Sequence, residues 1–158
     1  MTGAIKLLNE MVKAEHLKSL EGNPRADMFA MLYEKHSDTS TAGLTKAVVK
    51  WLELHNAQVE RVENKGGIIP GKVVGVGFYG VKRTANKRIY SPNKNGTADV
   101  HSVINGRAVK WEIKCKYTKD RVRPKQLEYA ESVRKAGGLY FIVTDFDNFI
   151  THWEGIKG

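Results

Sequence analysis

The stretch TADVHSVINGRAVKWEIKCKY, Thr97 to Tyr117, decides the fold of this 158-residue chain. Asn105-Gly106 lies between two runs of alternating polar and apolar residues, and both loop positions of a type I′ hairpin turn need positive φ. With that loop, Ile104 pairs with Arg107, and stepping outward along both strands places Asp99 opposite Glu112. Period-2 alternation sends Val109, Trp111, Ile113 and Cys115 toward a core and leaves Lys110, Glu112 and Lys114 on the other face. Directly opposite residues have Cβ atoms about 5 Å apart, and like charges there destabilise a sheet. Two bare carboxylates at about that separation repel by roughly 3 kcal/mol at an effective dielectric of about 20. The acids need a neutralising partner. The hairpin alone is consistent with two: a divalent cation, or the neighbouring lysines of a solvated outer face with ordinary salt bridges.

Composition narrows the classes further. The chain is long enough for one domain with a single core. It contains no apolar run of the roughly 18 residues that a membrane span needs. The opening MTGAIKLLNEMVKAEHLK lacks the uninterrupted apolar segment of a signal peptide, so a cytoplasmic location is expected. Cys115 is the single cysteine, which excludes an intrachain disulfide and a cysteine-built zinc site and suits a core position. The formal net charge of +9 is unevenly spread. Lys65 to Gly96 carries seven bases and no acid, and Arg107 to Lys135 carries ten bases against four acids. Affinity for nucleic acid comes largely from neutralised phosphates and released counterions, so nucleic acid is the expected partner.

Apolar spacing at Ile5, Leu8, Met11 and Val12 predicts a helix over 4–20. A second helix is expected after Asn23 as cap and Pro24 in the first turn, with Met28, Phe29, Leu32 and Tyr33 as its apolar stripe. Residues 1–40 thus read as an accessory N-terminal helical extension, its stripe packing on the core or on a second copy. A third helix over 42–55 should bury Leu44, Val48, Trp51 and Leu52. AQVERVEN (57–64) and KVVGVGFYGV (72–81) read as strands, the glycines of the second suggesting a bulge. KRTANKRIYSPNKNG (82–96) reads as a loop, mobile without ligand. After the hairpin come a helix near 125–135 stopped by Gly137-Gly138, a buried strand in LYFIVTD (139–145) and a closing helix in FDNFITHWEGI (146–156). This order predicts an α/β fold, a small mixed sheet flanked by helices.

GTAD (96–99), EIK (112–114) and RPKQLEYAESVRKAGG (123–138), followed by an apolar strand, resemble the PD-(D/E)xK nucleases and, within them, the VRR-NUC branch, over roughly residues 44–150. The resemblance implies a restriction-endonuclease-like core over 41–158 and a metal-dependent DNA endonuclease. Asp99 and Glu112 would ligate Mg²⁺ or Mn²⁺, with the Ile113 carbonyl as a further oxygen. Lys114 would stand beside the attacking water and the scissile phosphate, and Gln126 would position groups around them. Lys82, Arg83, Lys87, Arg88, Lys94, Lys116, Arg121, Arg123 and Lys125 are then the expected DNA contacts. Short stand-alone relatives of this branch are associated with homodimers that cut four-way junctions, often in phages. One departure stands out. The family commonly places a glutamate on the first core helix, where TAGLTKAVVKWLELHN (41–56) offers Thr41, Thr45 and only the late Glu53. A flap, nicking or restriction-type nuclease and a DNA-binding module without turnover are the alternative readings.

Overall fold

A computed structural model of the chain describes residues 3–62 and 96–157, and between them the backbone of four short strands, 67–69, 73–76, 82–84 and 87–89. The hairpin organises the main sheet. Strands β6 (Val100–Ile104) and β7 (Arg107–Ile113) pair in the expected register, Ile104 with Arg107 through to Val100 with Trp111. The turn residues Asn105 and Gly106 have φ of 49° and 75°, both positive as a type I′ turn requires. Strand β1 (Gln58–Arg61) extends the sheet antiparallel on the β6 side. Strand β8 (Leu139–Val143) lies parallel to β7, so the sheet is mixed, in the order β1-β6-β7-β8. A parallel neighbour needs a crossover, and helix α4 (Pro124–Lys135) supplies it.

The two faces of the sheet are covered differently. On one, Val100, Val109, Trp111, Ile113 and Val143 join a large core with helices α1 (Gly3–Ser19), α3 (Thr41–Leu54) and α5 (Phe146–Lys157). Leu44, Val48, Trp51 and Leu52 of α3 are all buried there, and Ser40 caps the helix by accepting from the Gly43 amide at 3.1 Å. Ile5, Leu8 and Val12 of α1 belong to the same core, so the first stripe packs on the body of the chain. Trp111 anchors this side: fully buried, it meets Phe149 edge-on and stacks on Phe141, and its Nε1 donates to Ser102 Oγ at 2.8 Å. Burying an indole is worth about 5 kcal/mol by area. On the other face, α4 closes a smaller cluster of Ala98, Ala130 and Tyr140. That cover makes the acidic side of the hairpin an interior rather than a solvated outer face.

Two expectations are corrected. The second helix, α2, is a single turn, Ala26–Phe29, with Arg25 rather than Asn23 before it. Asn23 instead accepts from the Arg25 amide at 2.9 Å in a turn. Of the expected stripe, Met28, Phe29 and Leu32 stay exposed and only Tyr33 packs against the main core; so little burial does not sustain a longer helix. The stretch 82–96, expected as a loop, contains β4 (Lys82–Thr84) and β5 (Lys87–Ile89). These pair antiparallel with β3 (Val73–Val76) and β2 (Gly67–Ile69), the β3–β4 pair nested inside β2–β5. The basic run has no alternation of its own; its partners are the apolar residues that precede it. The register shift between Val73 and Gly75 is the bulge the glycines suggested. Lys94 lies outside the described residues.

Candidate active site

The site is built where the hairpin frays beyond its last ladder pair. Asp99 sits one residue before β6, at the point where the backbone bends. Its backbone carbonyl accepts from the Val62 amide at 2.9 Å, and its Oδ2 accepts from the Ile113 amide at 3.0 Å. A carboxylate thus replaces a carbonyl at the end of the ladder, which holds Asp99 against the strand carrying Glu112. Ile113 enters the site through its backbone, since its side chain is fully buried in the main core.

Glu112 is 1% exposed, an extreme position for an acid. Burial of this kind requires partners, and three side chains provide them. Lys114 Nζ stands 3.0 Å from Oε1, Gln126 Nε2 donates to the same oxygen, and the Tyr140 hydroxyl reaches Oε2 at a long 3.3 Å. Gln126 is oriented from its other end: its Oε1 accepts from the Arg123 amide at 2.8 Å, closing the first turn of α4. One residue therefore caps a helix and steadies an acid across the interface. Lys114, 9% exposed, also donates to Asp120 Oδ2 at 2.9 Å and so bridges two carboxylates.

The electrostatics follow from burial. Loss of solvent pushes the Glu112 carboxyl above its ordinary value, and the nearby Asp99 charge pushes it further, against the hydrogen bonds from Lys114 and Tyr140. Asp99 is likewise raised by burial, against the Ile113 amide and Lys114. Burial opposes the charge on Lys114, but its bonds to Asp120 and Glu112 outweigh that and raise its pKa. The Tyr140 phenol is driven well above its usual range by burial and by Glu112, so it remains a donor. Both acids resist ionisation in this dry setting, and the positive charge that offsets them is the Lys114 ammonium.

The structure brings Asp99, Glu112, Ile113, Lys114 and Gln126 together. It does not bring Glu53, which lines a separate cleft of about 220 Å³ with Glu34, His36 and Arg61. Thr45 is buried and donates its hydroxyl to the Thr41 carbonyl at 2.8 Å. Among the described residues, no three His, Cys, Asp or Glu side chains form a group able to hold a metal ion. The oxygens on offer are the carboxylates of Asp99 and Glu112, hard donors of the type taken by a cation that keeps waters and shares itself with a phosphate; the Ile113 backbone meets Asp99 through its amide. Tyr140 and Asp120 escaped the sequence reading. A hydroxyl in an otherwise apolar strand was the signal for Tyr140; Asp120 lies in an irregular segment with no periodicity to mark it.

Of the basic residues, Arg121, Arg123 and Lys125 are exposed along the segment that leads into α4, beside Asp120 and Gln126. Lys116, also exposed, pairs with Asp145 at 3.1 Å. Lys82 and Arg83 lie on β4, and Lys87 and Arg88 on β5, described by backbone alone. No helix among the described residues is long and apolar enough to cross a membrane. Neither a family model nor a curated protein matches the chain.

Proposed function

We propose that this chain is a metal-dependent endodeoxyribonuclease of the PD-(D/E)xK type, with the motif order of the VRR-NUC branch. The observation that carries the proposal is the convergence of Asp99, Glu112, Lys114 and Gln126, from two strands and a helix, on one buried cluster. Asp99 and Glu112, with the Ile113 carbonyl, would hold Mg²⁺ or Mn²⁺, which supplies Lewis-acid activation of water and phosphate when bound. Lys114 sets its ammonium toward the developing negative charge. Gln126 fixes the Glu112 carboxylate from the end of α4. The exposed Arg121, Arg123 and Lys125 and the paired Lys116 lie on the segments next to the cluster and would supply phosphate-binding charge; Lys82, Arg83, Lys87, Arg88 and Lys94 are proposed as further DNA contacts on the strength of their charge. Branched DNA in the cytoplasm of a bacterial or phage-infected cell is the proposed setting, and a homodimer the proposed assembly. A two-fold dimer sets two sites across a symmetric junction. Met28, Met31 and Leu32, 72%, 70% and 67% exposed, offer an apolar face for it. Point substitution such as Met31→Lys tests the dimer, since deleting α1 would strip Ile5, Leu8 and Val12 from the core.

The deciding experiment is cleavage of labelled four-way junction, flap and linear duplex with Mg²⁺ or Mn²⁺, run beside Glu112→Ala. Metal-dependent symmetric nicks in the junction that vanish in the variant are expected. Cutting of flap or duplex alone would keep the nuclease and discard the junction. A second reading, a DNA-binding module without turnover, draws on Glu112 being already engaged by Lys114, Gln126 and Tyr140. Salt-sensitive binding with no metal-dependent product would select it.

A further inference from the structure

We propose that Asp120 is a positioning residue that keeps Lys114 at the site when the Glu112 carboxylate turns from lysine to cation; this rests on the nuclease reading above. The geometry is a handover. Lys114 Nζ lies 3.0 Å from Glu112 Oε1 and 2.9 Å from Asp120 Oδ2, so one ammonium is shared between a buried acid and an exposed one. Glu112 Oε1 also accepts from Gln126, leaving that carboxylate little room for a lysine and a cation together. Like charges also separate: an ammonium held on Glu112 opposes a divalent ion on the same group. With Asp120 as second acceptor, Lys114 can leave Glu112 without losing all its partners, which a largely buried amine cannot do cheaply. Asp120 lies six residues beyond Lys114, in the segment joining β7 to α4, and its side chain is 38% exposed, so it can follow the amine.

The test compares Asp120→Asn and Asp120→Glu with the parent protein by two readouts. One is Mn²⁺ binding to the DNA-free protein, followed by electron paramagnetic resonance. The other is kcat and KM for metal-dependent cleavage of whichever of the junction, flap and duplex substrates the parent protein cuts. Asp120→Asn should weaken Mn²⁺ binding and lower kcat, each by roughly 10–100-fold as for other partners that orient metal ligands, with KM little changed. Asp120→Glu should recover most of both. A merely structural role would lower the melting temperature without this split. Parent-like Mn²⁺ binding and turnover in Asp120→Asn, with Glu112→Ala inactive, would overturn the proposal and leave the nuclease standing. A parent that neither binds Mn²⁺ nor cuts would overturn both.

Discussion

Gly96 is the position where one methyl group should do the most damage. Its φ is +89°, in the left-handed region, and an added Cβ would run into the Lys125 carbonyl, 2.6 Å from its carbon and 3.0 Å from the Gln126 amide nitrogen. Those atoms are the first turn of α4, which holds Gln126 on Glu112. Left-handed backbone costs an L-residue about 1–2 kcal/mol, and forcing a group into a packed contact adds about 1–3 kcal/mol. Gly96→Ala should therefore destabilise the protein by about 2–5 kcal/mol, much of a typical total stability. With a urea m-value of about 2 kcal/mol/M, the midpoint should fall by about 1–2.5 M. Two substitutions isolate the steric part. Gly106→Ala and Gly137→Ala carry the same backbone penalty, at φ of +75° and +83°, but nothing lies within 4 Å of their added Cβ. All three gain similarly from a stiffer unfolded chain. Equilibrium urea unfolding of the three variants should place Gly96→Ala well below the other two. Midpoints that coincide would refute the close approach of the 96–99 segment to α4, and with it the account of how Asp99 is set beside Gln126.

Further outcomes follow from the same geometry. The carboxyls of Asp99 and Glu112 are both raised from ordinary values of 3.8 and 4.5, chiefly by burial. The folded state then binds more protons than the unfolded one, so the stability these groups contribute is fully present below those ordinary values and is lost as pH rises through the raised ones. Melting temperature in EDTA should accordingly fall as pH rises through that window, and Asp99→Asn combined with Glu112→Gln should flatten the trend. Ser102→Ala removes the acceptor for Trp111 Nε1 in the core and should cost about 1–3 kcal/mol in chemical denaturation. Replacing Arg121 and Arg123 with alanine should weaken DNA binding across sequences, and should reduce the slope of log K against log salt by about 1 for each phosphate no longer neutralised.

Local rules reached far along this chain because its hairpin obeys them strictly. Asn105-Gly106 admits one tight turn, and the turn sets the register; the register places Trp111 in the core and carries Asp99 to the end of the ladder, where its carboxylate takes the Ile113 amide beside Glu112. The boundaries of α3, α4 and α5 were legible for the same reason, since caps, glycine stops and helical spacing act within a few residues. Elements whose existence depends on a distant partner were not legible. The turn at 26–29 lacks a surface to bury against, and the strands at 82–84 and 87–89 exist through pairing with 73–76 and 67–69.

The candidate site divides along the same line. Its acids and lysine sit on one hairpin and follow from alternation; their protonation and company do not. Whether Glu112 faced water or an interior depended on α4 crossing over that face, a packing of residues far apart in sequence. That crossing buries Glu112, raises its carboxyl and delivers Gln126 to it, while the parallel neighbour β8 brings Tyr140. The bend beyond β7 then returns Asp120 to Lys114. Alternation along one hairpin was enough to say which charged groups would meet. How dry their meeting place is came from tertiary packing, because desolvation belongs to the covering layer and not to the strand.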